Sequence, residues 1–290
     1  MQIARTIAEA RAFCTESVAP VAGSLSAGTL GFVPTMGALH AGHLSLVAAA
    51  RTANQVVAAS IFVNPTQFGP NEDFSKYPRS FDADCALLEQ AGVALLFAPA
   101  PAEMYPAGFA TAIDAGPVAT RLDGASRPGH FTGVATVVAK LLHIVTPTRA
   151  YFGQKDAAQV AVLRQLVRDL SLPVELVICP TVREPDGLAL SSRNRYLSTQ
   201  ERAQALVLSR ALLAAEDQVR HGVSEAEVLL ETAGVVLAQE PVFRLDYCAL
   251  VDPDTLEAIA HVAAGKPALL AIAGWFGSTR LIDNALLNLR

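Results

Sequence analysis

The sequence predicts an α/β fold: a Rossmann-like doubly wound parallel sheet with a smaller C-terminal α+β domain. Three observations predict it. Short apolar runs of strand type alternate with stretches of helical spacing through the first half of the chain. Two of those runs feed directly into Gly/Pro-punctuated polar loops, at Pro34–His43 and at 64–79. The alternation stops near 179–185, where two long helical segments and then three strand-like runs follow. Strands alternating with helices favour a parallel sheet covered on both faces.

Taken in order, residues 3–18 are apolar at helical spacing, 29–33 read as a strand, 44–54 as a helix and 55–63 as a second strand. The loop 64–79 leads to a helix at 80–91 with Asp82 early in it, then a strand at 93–97. A helix at 131–145, a strand at 150–152, a helix at 157–170 and a strand at 174–178 complete the alternation. Ser198-Thr199-Gln200-Glu201 and Ser224-Glu225-Ala226-Glu227 both have the capping-box pattern, which predicts helix starts there. Residues 243–251, 268–273 and 280–282 read as strands. The expected division is therefore 1–184 for the nucleotide-type domain and 185–290 for the smaller one, closing over a ligand.

The chain has 290 residues, 52% of them hydrophobic and 17% charged, with a formal net charge of −5. That composition suits a packed globular protein and not a disordered one. It has no Lys/Arg cluster, so a nucleic-acid footprint is not expected. No signal peptide is read at the N-terminus, and the apolar runs at 134–145 and 267–276 fall short of the about 20 residues a membrane helix needs. No membrane association is expected. Cys14, Cys85, Cys179 and Cys248 form no CxxC pair and read as small buried hydrophobes in a reducing, cytoplasmic setting.

The most informative stretch is Val33-Pro34-Thr35-Met36-Gly37-Ala38-Leu39-His40-Ala41-Gly42-His43. Two imidazoles three residues apart sit where a strand hands over to a helix. A helix N-terminus has unpaired N–H groups and the positive end of the macrodipole, so it attracts phosphate. Glycine lets the backbone come close to an anion. This turn reads as the triphosphate end of an ATP site, against the alternative of two ordinary histidines. A zinc pair has no third ligand in view, and neither a P-loop nor a GxGxxG turn is present.

Other segments are weaker alone. Asn64-Pro65-Thr66-Gln67 ends a buried strand with two amides, which suit a substrate bearing a carboxylate and hydroxyls; Asn64 also reads as a turn former. Gly153-Gln154-Lys155-Asp156 opens a helix, with Lys155 as a point charge for phosphate and Gln159 on its face. Leu190-Ser191-Ser192-Arg193 offers hydroxyls and a guanidinium, or is simply a polar loop. Arg127-Pro128-Gly129-His130 is a polar turn. Asp82 and Asp84 are either Mg²⁺ ligands or ordinary acids at a helix start.

Together PTMGALHAGH, SIFVNPTQF, ASRPGHFTGVATVV, YFGQKDAAQ, DGLALSSRNRYLS and RLIDN closely resemble the pantothenate synthetase (pantoate–β-alanine ligase) family. That family belongs to the nucleotidyltransferases whose HxGH turn is like that of class I aminoacyl-tRNA synthetases. The resemblance implies a cytoplasmic homodimer that uses ATP and Mg²⁺ to join pantoate to β-alanine through an acyl-adenylate. It implies that Met36, Gly37, Ala38, Leu39, His40, Ala41, Gly42 and His43 line the ATP site, with His43 as a proton donor. Gly153, Gln154, Lys155, Asp156, Val182, Leu190, Ser191, Ser192 and Arg193 would also bind ATP. Gln67 and Gln159 would hold pantoate, with Asn64 beside them. His43, His40, Lys155 and Arg193 would carry the chemistry.

Two departures stand out: Thr66 where many relatives have Met, and Arg195 where Gly is frequent. The reactive intermediate needs cover from water, and the loop 69–79 is the expected lid. Other readings are a nucleotidyltransferase that keeps a dinucleotide product, a non-catalytic nucleotide-binding regulator, and a tRNA synthetase relative.

Overall fold

The computed structural model describes residues 1–19, 28–70 and 72–289. Residues 20–27, 71 and 290 lie outside this description, so the expected lid is described apart from residue 71. In chain order the first elements are β1 (Gln2–Ala4), α1 (Ile7–Ser17), β2 (Leu30–Thr35), α2 (Ala41–Ala53), β3 (Val56–Ile61), α3 (Phe81–Gln90) and β4 (Leu95–Phe97). Two single-turn helices follow, α4 (Pro101–Met104) and α5 (Asp123–Ser126), then α6 (His130–Val145), β5 (Arg149–Gly153), α7 (Ala157–Asp169) and β6 (Glu175–Cys179). The remainder is α8 (Thr199–Gln204), α9 (Leu206–Arg220), α10 (Ala226–Leu237), β7 (Phe243–Val251), β8 (Ala268–Phe276) and β9 (Thr279–Leu287).

Two compact units divide the chain. The first comprises Met1–Thr120, Arg127–Gly153 and Val162–Cys179; the second comprises Arg121–Ser126, Gln154–Ala161 and Pro180–Arg290. The line falls at 179/180 where the sequence suggests 184/185, and two short segments from before that line group with the second unit. Specific bonds inside that unit account for this. Arg280 meets Asp123 at 2.7 Å, Ser126 donates to Asp246 at 2.7 Å, and Asn284 holds the carbonyls of Gln154 and Lys155.

The first unit contains a six-stranded parallel sheet in the order β1-β4-β3-β2-β5-β6. The order runs outward in both directions from β2 and β5, so a topological switch point lies between them. Ligands of open α/β sheets bind beyond the carboxyl ends of the strands at such a point. Leu30 offers its carbonyl to Thr148, just before β5, at 2.8 Å. Along a strand alternate residues face the same neighbour, so Phe32 and Pro34 also face β5. Pairing with β5 ends at Phe32, and Pro34, which has no N–H to give, follows immediately.

Both faces of the sheet are apolar. Val33, Val57, Ala59, Leu96 and Tyr151 pack with Leu46, Val47 and Ala50 of α2 and Leu88 of α3. The alternate residues Phe32, Ala58, Leu95, Phe97 and Ala150 are equally buried, on the side where α6 meets β2 and α1 meets β4. The second unit has an antiparallel sheet in the order β7-β8-β9, whose Leu250, Leu270, Ile272 and Leu281 pack with Leu208, Leu212 and Leu229 of the helices. Among the described residues no helix is long and apolar enough to cross a membrane.

Several elements differ from expectation. The segment 3–18 is a strand and then a helix, because Gln2–Ala4 adds to the sheet edge beside β4. The Ser198 box forms as predicted, with Glu201 answering, but its helix yields at Ala205 to a second one. The Ser224 box does not form. The main chain there pairs with the next strand-like segment, Val262 donating to the Ser224 carbonyl at 2.8 Å and Ala226 to Ala260 at 2.9 Å. Glu225 becomes the cap position.

Candidate active site

Strand β2 ends in a turn that is held from several sides. Thr35 Oγ1 donates to the Ser60 carbonyl at 2.7 Å and accepts the Gly37 N–H at 3.1 Å. Gly37 has φ +82°, a conformation that favours glycine, and a Cβ there would lie a tight 3.0 Å from Asp84 Oδ2. Ala38 follows with φ +52°. The Asp84 carboxylate accepts the N–H groups of Ala38 and Leu39, each at 2.9 Å, and Ser80 donates to both of its oxygens.

The two histidines cap the helix that follows. His40 is the N-cap of α2, and its Nδ1 accepts the Gly42 N–H at 3.2 Å. His43 Nδ1 accepts the His40 N–H at 3.3 Å, and the rings lie 4.1 Å apart. A main-chain N–H can only donate, so in each neutral ring the proton sits on Nε2. Both imidazoles therefore carry an N–H at the end away from the backbone, at the positive terminus of a helix.

Strand β3 ends at a 3-10 turn, Pro65–Gln67, capped by Asn64, which is 1% exposed. Asn64 Nδ2 donates to Gln67 Oε1 at 3.0 Å, and Gln67 Nε2 lies 3.3 Å from Met36 Sδ. This joins the amide pair to the β2 turn. Gly133 of α6 packs so closely on this turn that a Cβ would sit 2.3 Å from the Thr66 carbonyl oxygen.

The polar turn Arg127–His130 is part of the same unit. Arg127 forms a two-pronged ion pair with Glu72, at 2.7 and 2.6 Å. His130 Nδ1 lies 2.7 Å from the Gln67 carbonyl and Nε2 lies 2.9 Å from Arg127 Nη1. The carbonyl can only accept and the guanidinium only donate, so the ring carries its proton on Nδ1. Burial pushes the Glu72 carboxyl up, but Arg127 and the Gly69 N–H outweigh it and leave it below its ordinary value. Phe68 stacks edge-on against Phe74 and Tyr77, so the described part of the loop 69–79 is pinned at several points.

In the second unit, Gln154–Asp156 form a 3-10 turn leading into α7. Asn284 Nδ2 donates to the carbonyls of Gln154 at 3.1 Å and Lys155 at 2.8 Å, and Gln154 Nε2 donates back to Asn284 Oδ1 at 3.1 Å. Lys155 lies 3.7 Å from Asp156, and Gln159 is half-buried on the same helix. Val182 and Leu190, eight positions apart in sequence, meet across a hairpin, the Leu190 N–H reaching the Val182 carbonyl at 3.0 Å. Ser191 caps the turn Ser192–Tyr196 by accepting the Arg193 N–H at 3.2 Å. Arg183, inside the hairpin, grips the buried Asp283 at 2.6 and 2.9 Å.

The sequence missed several of these residues. Asp84, for which the sequence leaves a Mg²⁺ ligand and an ordinary helix-start acid both open, has oxygens that accept two main-chain N–H groups and a hydroxyl. Among the described residues no group of three or more His, Cys, Asp or Glu is placed to hold a metal ion. Tyr105, whose hydroxyl donates to Asn64 Oδ1 at 2.7 Å, Glu72 and the Arg183–Asp283 pair left no local signal, because each acts across a large sequence separation.

These features define a doubly wound α/β protein with a histidine-capped, anion-ready helix at its switch point. A family profile described as Pantoate-beta-alanine ligase matches residues 2–286. The pantothenate synthetase of Acidobacterium capsulatum is 62% identical over 259 residues, covering 89% of this chain and 86% of that protein. That of Koribacter versatilis is 54% identical over 287 residues, covering 99% and 96%. The crystal structure of pantothenate synthetase from Thermus thermophilus superposes with a TM-score of 0.90 at 51% identity, covering 99% of this chain and 100% of that one. A pantoate-beta-alanine ligase from Francisella tularensis, solved with beta-gamma ATP and beta-alanine, gives a TM-score of 0.77 at 35% identity, covering 99% and 97%. The chain belongs to the pantoate–β-alanine ligase family.

Proposed function

We propose that the chain condenses (R)-pantoate with β-alanine, converting ATP to AMP and pyrophosphate through a pantoyl-adenylate. The observation that carries this reading is the histidine-capped turn: His40 and His43 each turn Nδ1 to a backbone N–H at the N-terminus of α2, which places the proton of the neutral ring on Nε2. The ATP and β-alanine held by the Francisella tularensis relative support the same ligands here.

In the first step the pantoate carboxylate attacks the α-phosphorus and pyrophosphate leaves. Both reactants are anions, so the barrier is largely electrostatic. The α2 N-terminus with His40 and His43 would stabilise the charge on the departing group, and Lys155 and Arg193 would supply positive charge to the phosphates. Met36–His43, Gly153–Asp156, Val182 and Leu190–Arg193 are assigned to the nucleotide, and Gln67, Gln159 and Asn64 to pantoate. In the second step the β-alanine amine attacks the pantoyl carbonyl and AMP leaves. The ordinary pKa of an alkyl amine is about 10, so it must react in its neutral form. The loop 69–79 is the proposed cover that keeps water from the mixed anhydride. Magnesium enters this reading only as the cation that accompanies ATP. The homodimer and the cytoplasmic location belong to the same proposal and rest on the family resemblance.

The test is pyrophosphate release from ATP with pantoate, and AMP formation with and without β-alanine. Amine-dependent AMP formation is expected. A chain that binds ATP but releases no pyrophosphate is a regulator, and one that keeps a dinucleotide product is a different transferase.

A further inference from the structure

We propose that Tyr105 and Thr66, acting through Asn64, fix the Gln67 amide so that it presents N–H rather than C=O to the acid substrate. Tyr105 is then a positioning residue for acid binding. This rests on the reading that Gln67 holds pantoate.

The two ends of an amide are alike in shape, so neighbours of known polarity decide which end faces where. Asn64 has two such neighbours. The Thr66 N–H can only donate and lies 3.3 Å from Asn64 Oδ1. The Gly133 carbonyl can only accept and lies 3.1 Å from Asn64 Nδ2. These two contacts show which end of the Asn64 amide is oxygen and which is nitrogen. Two hydroxyls reinforce them on the Oδ1 side, Tyr105 at 2.7 Å and Thr66 Oγ1 at 2.9 Å. Burial raises the Tyr105 phenol above its ordinary value, with the Thr66 hydrogen bond opposing, so it remains a donor near neutral pH.

The second hydrogen on Asn64 Nδ2 then goes to Gln67, 3.0 Å away, and the facing atom must be Oε1. Gln67 Nε2 is left as the outward end. Its partner is the Met36 thioether at 3.3 Å, a weak acceptor. An arriving carboxylate or hydroxyl oxygen replaces that weak partner with a strong one. The polarity of the pocket thus passes from the Gly133 carbonyl and the Thr66 N–H, through Asn64, to Gln67.

Steady-state kinetics on the full chain test this. Tyr105→Phe keeps the ring and removes one donor. It is expected to raise the pantoate KM by about 3–10-fold, the size of one hydrogen bond, with the ATP KM unchanged. In a Gln67→Ala background Tyr105→Phe should add nothing further, because it acts only through that amide. Thr66→Val provides the same test on the second hydroxyl. Gln67→Glu, which replaces the N–H by an acceptor, should damage pantoate binding at least as much as Gln67→Ala. Retained pantoate affinity in Gln67→Glu overturns the proposal. So does an unchanged pantoate KM in both hydroxyl variants, an equal rise for ATP, or an additive effect in the Gln67→Ala background. Wild-type turnover with pantoate is the control: its absence overturns the functional reading and this proposal together, whereas its presence with any of those results overturns this proposal alone.

Discussion

Asp84 Oδ2 accepts the Ala38 N–H at 2.9 Å, at a residue whose φ of +52° is unfavourable for any side chain. The left-handed conformation costs roughly 1–2 kcal/mol at a non-glycine residue. A carboxylate 46 positions away in sequence offsets that cost by satisfying two consecutive N–H groups. Asp84→Asn turns an NH₂ toward one of those N–H groups. We expect a loss of about 1–3 kcal/mol in urea unfolding, together with a raised ATP KM. Unchanged values of both would show that the turn holds itself.

The histidine caps allow a structural role to be separated from a phosphate role. Asparagine is a favoured N-cap, so His40→Asn should retain the helix start while losing the Nε2–H. His40→Ala should also lose the cap, at about 0.5–2 kcal/mol. Both should slow pyrophosphate release by about 10²-fold or more. Stopped-flow pyrophosphate detection, paired with thermal melts, reads the two effects independently.

Glu72 links stability to pH. Its folded carboxyl titrates below the ordinary 4.5, because Arg127 and the Gly69 N–H outweigh burial. A depressed carboxyl stabilises the fold above its unfolded value, and that contribution is lost as pH falls through the folded value. The stability gap between wild type and Glu72→Gln should be full at neutral pH and should shrink below 4.5. A gap that widens in acid would contradict the assignment; urea midpoints over that range measure it.

Asn284 acts on the turn that bears Lys155. Asn284→Ala removes donors to the Gln154 and Lys155 carbonyls. It should cost about 1–3 kcal/mol and weaken ATP binding. Asn284→Asp should be worse, because an oxygen would then face two carbonyl oxygens. Isothermal titration with a non-hydrolysable ATP analogue ranks the three proteins.

Most of the sheet was legible in the sequence because β2, β3, β5 and β6 are apolar runs bounded by turn residues. Strand β1 was not: three residues, Gln2–Ala4, are too few to show a period, and only the β4 edge makes them a strand. Strand β9 was read as 280–282 but runs Thr279–Leu287, because Asp283 and Asn284 look like a turn until Arg183 and Gln154 are found bonded to them. The Ser224 box failed for a similar reason, a main-chain pairing that no local pattern announces. At the site, His40 and His43 were noticed for their chemistry. Their capping was not legible, since histidine is outside the usual N-cap set. For Asp84 the sequence leaves a metal ligand and an ordinary helix-start acid both open, because its role as a brace for the Ala38–Leu39 turn depends on contacts more than forty positions away.

The four cysteines have a practical use. All are free thiols; Cys14 and Cys179 are buried, and Cys85 and Cys248 are partly covered. Burial raises every one of them above the ordinary 9.0, Cys14 and Cys248 to about 11. Alkylating reagents attack the thiolate, which is scarce at all four positions near neutral pH. A single cysteine introduced at an exposed position would therefore take a fluorophore or spin label selectively, without first stripping the native ones.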